Sequence, residues 1–303
     1  MNILFRDNIA GMQRLVRSNG TLQFHLCRGY GRVDIQFFFS QPTFGNTDIT
    51  YHAVHTVGTK RTLLISSLHT AVDGDMLLYD FRTHTHGNEN VQGALRDSCN
   101  IFFYKLSEKL TIDGITKYAR LFGLGQATAL ETGDAAGHLS DQETFAEMGE
   151  DWTVGQVLQS AIGQGEWAVT PLQMANVACT IANNGVRYQP HLVDSIWDYN
   201  HENCVEEIDP VVAGEIKPTS DEVFQYVESG MIAASTNNFP TQYSLQNLGF
   251  DVAIKTGTPQ VDGRVQDSFF IGYAPAENPE IAFAGVIEGG EYSKYMIRSI
   301  IQA

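Results

Sequence analysis

The sequence predicts an α+β fold, an antiparallel sheet flanked by helices. Three observations point to it. The C-terminal third alternates strand-favouring runs with short polar turns. Two helices with marked ends precede those runs, and a terminal helix follows them. Strands joined by a short turn pair antiparallel, and helices on either side of such a sheet pack onto it. With 303 residues, 43% of them apolar and 18% charged, the chain can bury one large core or two smaller ones.

Residues 1–86 stand apart. They hold no glutamate, one proline and six of the nine histidines, with eight Lys/Arg against six Asp. The remainder holds eleven Lys/Arg against 29 Asp/Glu, so nearly all of the formal charge of −16 follows residue 86. "DIQFFFSQPTFGNTDITYHAVHT" has strand-forming residues but neither clean alternation nor a helical period. On this ground the chain divides into an atypical segment, 1–86, and a domain, 87–303.

From residue 86 the elements can be justified in order. In "HGNENVQGALRDSCNIFFYKL", Asn88 or Asn90 suits the cap of a helix containing Val91, Ala94 and Leu95, and a second apolar segment carries Ile101, Phe102 and Leu106. In "IDGITKYARLFGLG", Ile115, Tyr118, Ala119 and Phe122 share a helix face, and Gly123 ends the helix. "TPLQMANVACTIANNG" opens on an N-cap, Thr170, with Pro171 first and Gln173 completing a capping box. It stops at Asn184-Gly185. "FDVAIKTGT", "DSFFIGYA" and "IAFAGVIE" read as strands, the last two joined by the turn "PAENPE", and "SKYMIRSIIQA" as the terminal helix.

Several function classes drop out. A net charge of −16 argues against nucleic acid as a partner. No apolar run reaches the length of a membrane span, and "MNILFRDNIAGMQRLVRSNG" lacks the core of a secretory signal, so any membrane attachment comes through a segment not present in this chain. Cys27, Cys99, Cys179 and Cys204 have no metal or redox spacing, and His84 and His86 have no third ligand spaced with them. "GLGQAT" and "GQGEWA" lack the nucleotide fingerprint. The expectation is no cofactor and no metal.

The chemistry gathers in two short stretches. On a strand over 252–258, Ala253, Lys255 and Gly257 share one face and Ile254, Thr256 and Thr258 the other. Gly257 leaves the strand bare, so an extended peptide can lie alongside. Thr256 and Thr258 offer hydroxyl donors to a carboxylate, and Lys255 supplies positive potential. Ser98 and Asn100 fall between two helical segments. On one helix they would point about 200° apart, so a shared site requires the chain to turn there. Ser98 would then relay a proton and the Asn100 amide hold a substrate carbonyl.

S-x-N followed by K-T-G is a pattern of penicillin-binding proteins and serine β-lactamases. Five stretches, "HGNENVQGALRDSCNIFFYKL", "YARLFGLG", "AIGQGEWAVTPLQMANVACTIANNGVRYQPHLV", "AIKTGTPQ" and "FFIGYAPAENPEIAFAGVIEGG", follow one another in family order over residues 86–303. In them the chain resembles the transpeptidase domain of class B penicillin-binding proteins, the cell-wall D,D-transpeptidases. The resemblance implies a penicillin-binding transpeptidase or serine β-lactamase-like fold, incomplete on its N-terminal side. It implies that Ser98, Asn100 and Lys255 are catalytic and that Thr256, Gly257 and Thr258 bind substrate. The Thr258 N–H would form part of an oxyanion hole. The implied substrate is a peptidoglycan stem peptide ending in D-Ala-D-Ala, whose penultimate carbonyl a serine attacks, expelling the terminal D-Ala before an amine takes the acyl group. β-Lactams imitate that end and trap the serine. The implied place is the extracytoplasmic face of the cell membrane, in cell shape or cell division.

The family also needs S-x-x-K, the nucleophile and its activating lysine. The residues three before the seven lysines are Val57, Phe102, Leu106, Gly114, Gly214, Val252 and Glu291, so no S-x-x-K occurs. The upstream serines Ser40, Ser66 and Ser67 have no lysine at the right offset, and the spacing of Ser66 to His69 does not replace it. No nucleophile is therefore nominated. Either residues 1–86 come from a shifted reading frame or the chain has diverged. The parent DNA read in all three frames separates these: a frame shift requires an S-x-x-K upstream of His86 in another frame. The expectations are a D,D-transpeptidase that is truncated or inactive, a β-lactamase or β-lactam sensor of the same fold, or a non-catalytic peptidoglycan-binding protein.

Overall fold

The structure, a computed structural model, describes residues 86–302 except 221, 238, 260–264 and 291–292, and the backbone of five strands before them. Those strands are β1 (Leu22–Leu26), β2 (Asp34–Phe39), β3 (Ile65–Ser67), β4 (Thr70–Asp73) and β5 (Met76–Tyr79). There follow β6 (Gly87–Glu89), α1 (Val91–Asp97), α2 (Asn100–Leu121), α3 (Gln142–Met148), α4 (Val154–Ala161) and α5 (Pro171–Ala182). Four short strands come next: β7 (Val186–Tyr188), β8 (Ser195–Trp197), β9 (Cys204–Glu207) and β10 (Val212–Glu215). The chain closes with α6 (Glu222–Thr236), β11 (Ala253–Gly257), β12 (Ser268–Ala274), β13 (Ile281–Ile287) and α7 (Ser293–Gln302).

The central sheet runs β1-β2-β13-β12-β11. It is antiparallel, as the turn "PAENPE" requires of β12 and β13, except that β13 lies parallel to β2. That parallel pair and the small antiparallel pairs β7–β10 and β8–β9 escape the sequence reading, because short strands carry too few residues to display a period.

Helices cover both faces of the sheet, and the strand alternation sorts two cores. Ala253, Phe269, Ile271, Tyr273, Ala282 and Ala284 pack in one core with residues of α1, α2, α5 and α6. Ile254, Phe270, Phe283 and Ala274 pack in the other with Ile297 and Ile300 of α7. Phe102, Trp167, Phe270, Phe283 and Tyr273 are among the largest fully buried side chains. The Tyr273 hydroxyl donates to Glu228 Oε2 at 3.0 Å, which ties β12 to α6.

The predicted helix ends are found. The Gln173 N–H donates to Thr170 Oγ1 at 3.1 Å, and the Thr170 N–H donates to Gln173 Oε1 at 2.8 Å, so the capping box is complete. Gln173 also donates through Nε2 to the carbonyls of Gln126 and Ala136 at 2.7 and 2.8 Å, pinning a loop to the helix start. Gly185 at φ 98° ends α5, its N–H donating to the Thr180 carbonyl. Thr170→Ala is expected to lower stability by about 1 kcal/mol, and Gln173→Ala by more, since it also frees two carbonyls. Urea denaturation checks the order; equal losses would show that the loop contacts of Gln173 contribute nothing. The two apolar segments expected at 101–106 and 112–122 form one long element, α2, broken in direction at Thr111 (φ 58°, ψ 171°).

Candidate active site

α1 begins at Asn90, whose Oδ1 accepts from the Gly93 N–H at 2.8 Å. Of the two candidate caps, Asn90 is therefore the one used. The helix lasts seven residues and ends at Ser98 in the left-handed region, φ 53° and ψ 48°. The Cys99 N–H closes the turn on the Ala94 carbonyl at 3.0 Å, and Asn100 opens α2. The required bend between Ser98 and Asn100 thus exists, and its pivot is Ser98. Buried Ala94, Leu95, Cys99, Ile101 and Phe102 hold the turn from beneath and leave Ser98 and Asn100 half-buried at the surface.

β11 supplies the opposite wall. Lys255 is 7% exposed and lies on the same strand face as Ala253, toward α1 and α2. Its Nζ donates to Ser98 Oγ at 2.7 Å and to the Thr256 carbonyl at 2.7 Å. The first bond joins residues 157 apart in sequence. It brings two of the residues predicted from separate motifs into direct contact. A buried ammonium beside a hydroxyl holds that oxygen as an acceptor and raises the local positive potential.

The remaining K-T-G residues run out along the strand. Thr256 and Gly257 are half-buried, and Thr258, just past the strand end, is exposed. Alternation places Thr256 on the Ile254 face, so the group it turns to Lys255 is its carbonyl. A Cβ built on Gly257 would meet only Phe269 Cβ, at 3.8 Å, so the backbone there is bare. β11 is the last strand of the sheet and pairs only with β12 among the described residues, so its outer edge offers backbone donors and acceptors. An extended peptide suits such an edge.

A charged cluster that sequence reasoning missed stands behind Ser98. Asp97 accepts from Arg96 Nε at 3.1 Å, from Arg96 Nη2 at 2.6 Å and from Asn237 Nδ2 at 2.8 Å. The Arg96 hydrogen bond holds the Asp97 carboxyl below the usual carboxylate range. Glu89, 4% exposed, is driven the other way, first by burial and then by the nearby Asp97 charge. The adjacent Arg96 and Asp97 were visible in sequence; Asn237, 140 residues on, was not.

Among the described residues, no three His, Cys, Asp or Glu cluster as a metal site. His84, Ser40 and His69 lie outside the described residues. The backbone of β3, carrying Ser66 and Ser67, pairs with β6. Among the described residues, no helix is long and apolar enough to cross a membrane.

A family model described as "Penicillin binding protein transpeptidase domain" matches residues 63–301 and so begins upstream of the compositional division at 86. The peptidoglycan D,D-transpeptidase MrdA of Acinetobacter baumannii is 27% identical over 231 residues, covering 70% of this chain and 34% of that protein. The stage V sporulation protein D of Bacillus subtilis is 29% identical over 236 residues, 74% of this chain and 34% of its own. The chain thus spans about a third of the length of the curated relatives it matches. Among solved structures, Pseudomonas aeruginosa PBP2, in complex with WCK 5153, superposes with a TM-score of 0.68 at 27% identity, over 79% of this chain and 52% of that one. A family model that matches most of the chain means that this protein belongs to the penicillin-binding protein transpeptidase domain family, in its class B branch.

Proposed function

We propose that the chain carries the stem-peptide-binding part of a serine D,D-transpeptidase and, as written, does not transfer acyl groups. The observation that supports the first half is the 2.7 Å bond from Lys255 Nζ to Ser98 Oγ beside an open strand edge. The peptide lies along β11 with its C-terminal carboxylate toward Lys255, Thr256 and Thr258, and the bare backbone of Gly257 lets it approach. The Asn100 amide holds a carbonyl of the peptide, and Ser98 relays a proton to the leaving amine. In a complete enzyme a serine Oγ bonds to the penultimate D-Ala carbonyl carbon, the C–N bond breaks, and D-Ala departs with the proton. A second amine then displaces the serine.

The lack of any S-x-x-K supports the second half, since a serine without an adjacent base is a weak nucleophile. The family match begins at residue 63, so the compositional break at 86 falls inside it. The protein acts at the outer face of the cell membrane.

Intact mass after incubation with a penicillin tests the reading. The expected result is an unchanged mass and unconsumed drug. A stable adduct would overturn the inactivity and reveal a nucleophile; steady drug turnover would make the chain a β-lactamase. In parallel, a peptide ending in D-Ala-D-Ala should perturb the amide resonances of Thr256 and Thr258, and its L-Ala-L-Ala isomer should not. Equal perturbation by both would remove the transpeptidase reading of the groove.

A further inference from the structure

We infer that Asn237 is a positioning residue for Ser98: from just beyond α6 it clamps Arg96 and Asp97, the last two residues of α1, and so fixes where the Ser98 hydroxyl meets Lys255. What that placement does for a stem peptide rests on the function proposed above; the placement itself does not.

The clamp joins two different groups. Asn237 Nδ2 donates to Asp97 Oδ1 at 2.8 Å and to the Arg96 carbonyl at 3.3 Å. One amide thus holds a side chain and the backbone of the residue before it. The carboxylate is itself locked, since Arg96 Nε donates to Oδ1 at 3.1 Å and Nη2 to Oδ2 at 2.6 Å. Asn237 is anchored from its own side as well: its N–H donates to the Ala234 carbonyl at 3.3 Å, and Ser235, two residues earlier, is buried.

α6 stands where it can brace both walls of the cleft. A Cβ on Gly230 would lie 2.8 Å from Leu95 Cδ1 and 3.2 Å from the Gln92 Cα, so α6 lies directly on α1 at that point. The same helix packs against β11, and its Glu228 accepts from Tyr273 of β12 at 3.0 Å. Gly230 fixes the approach of the two helices partway along them. Asn237 fixes it at the end where Ser98 stands.

Ser98 requires such a hold. Its φ of 53° and ψ of 48° form a conformation that a side chain disfavours and that persists only where the surroundings fix it. The Cys99 N–H, bonded to the Ala94 carbonyl at 3.0 Å, closes the turn after Ser98, and Asn237 grips the two residues before it. Lys255 Nζ donates to Ser98 Oγ at 2.7 Å, and a displacement of about 1 Å ends a hydrogen bond of that length.

The test uses NMR exchange rates in the intact chain and in Asn237→Ala and Asn237→Asp. In the unaltered protein the Asn237 side-chain amide should exchange more slowly than that of the exposed Asn200. In Asn237→Ala the Cys99 amide should exchange about tenfold faster, while the Gly185 amide, which closes α5 on the Thr180 carbonyl, keeps its rate. The Lys255 ammonium, observable because it is buried and held by two hydrogen bonds, should exchange faster too. Asn237→Asp keeps the shape but sets an acceptor against Asp97, so it should lose at least as much as Asn237→Ala. Equal acceleration of Cys99 and Gly185 would mean a loss of global stability and would overturn the inference. So would a Lys255 ammonium unmoved by either variant, or Asn237→Asp behaving like the unaltered protein. An Asn237 amide exchanging as fast as that of Asn200 would overturn it without any variant having to fold. No arm uses a peptide or a penicillin, so failure here is separable from failure of the proposed function.

Discussion

Gly272→Val is expected to destabilise the protein by about 3 kcal/mol or more, a loss of order 5–10 °C in the unfolding midpoint. Gly272 sits mid-strand in β12, paired with Ile254 on one side and Phe283 on the other. A Cβ there would come 2.5 Å from the Ala253 carbonyl oxygen and 2.8 Å from Phe283 Cζ. The backbone oxygen belongs to β11 and cannot swing aside as a flexible side chain would. The neighbouring strand repeats the arrangement: a Cβ on Gly285 would lie 2.3 Å from Phe270 Cζ. The Phe270 and Phe283 rings, with centroids 6.2 Å apart, thus each cover a glycine of the partner strand. Any residue with a side chain at 272 must part β11 from β12, or expel Phe283 from the core under α7. Parting β11 would also carry Lys255 away from Ser98. Thermal unfolding followed by circular dichroism checks the size of the effect. A midpoint within 2 °C of the unaltered protein would mean that the strand pair yields at no cost, against the packing described.

Lys255→Met is expected to cut affinity for a D-Ala-D-Ala peptide at least tenfold while costing at most about 2 kcal/mol of stability. The ammonium is 7% exposed and gives one bond to Ser98 Oγ and one to the Thr256 carbonyl. Methionine keeps most of the volume and loses both donors and the charge. Charge-assisted hydrogen bonds are worth about 1.5–3 kcal/mol each, and about 1.4 kcal/mol is a factor of ten in binding. The fold loses less, because removing a buried cation also removes its desolvation cost. Peptide titration followed by NMR, with urea denaturation alongside, separates the two effects. Unchanged affinity in a folded Lys255→Met protein would take Lys255 out of the binding groove.

Much of this protein was decided within single stretches of sequence. The capping box at Thr170 and Gln173, the stop at Gly185 and the pairing of β12 with β13 all follow from residues within a few positions of each other. Hydrogen-bond caps and turn conformations are local, so a linear reading can find them. The two halves of the cleft were legible for the same reason, each as a short motif, and once Ser98 and Asn100 were assigned to one site, helix geometry required a turn between them. Strand alternation also assigned Ala253 and Ile254 to opposite faces before any partner was known.

Tertiary structure alone decided the rest. Only packing could show that β13 lies parallel to β2, that Phe270 and Phe283 cover glycines on each other's strands, and that Lys255 reaches Ser98 across 157 residues. The contact of Asp97 with Asn237, just beyond α6, and the seat of the Glu89 carboxyl on Gly93 likewise depend on how the folded chain packs. The physical reason is common to these cases. Local conformation depends on residues adjacent in the chain, whereas the energy of a buried charge or a covered glycine depends on which distant residue closes over it, and only the folded chain supplies that neighbour.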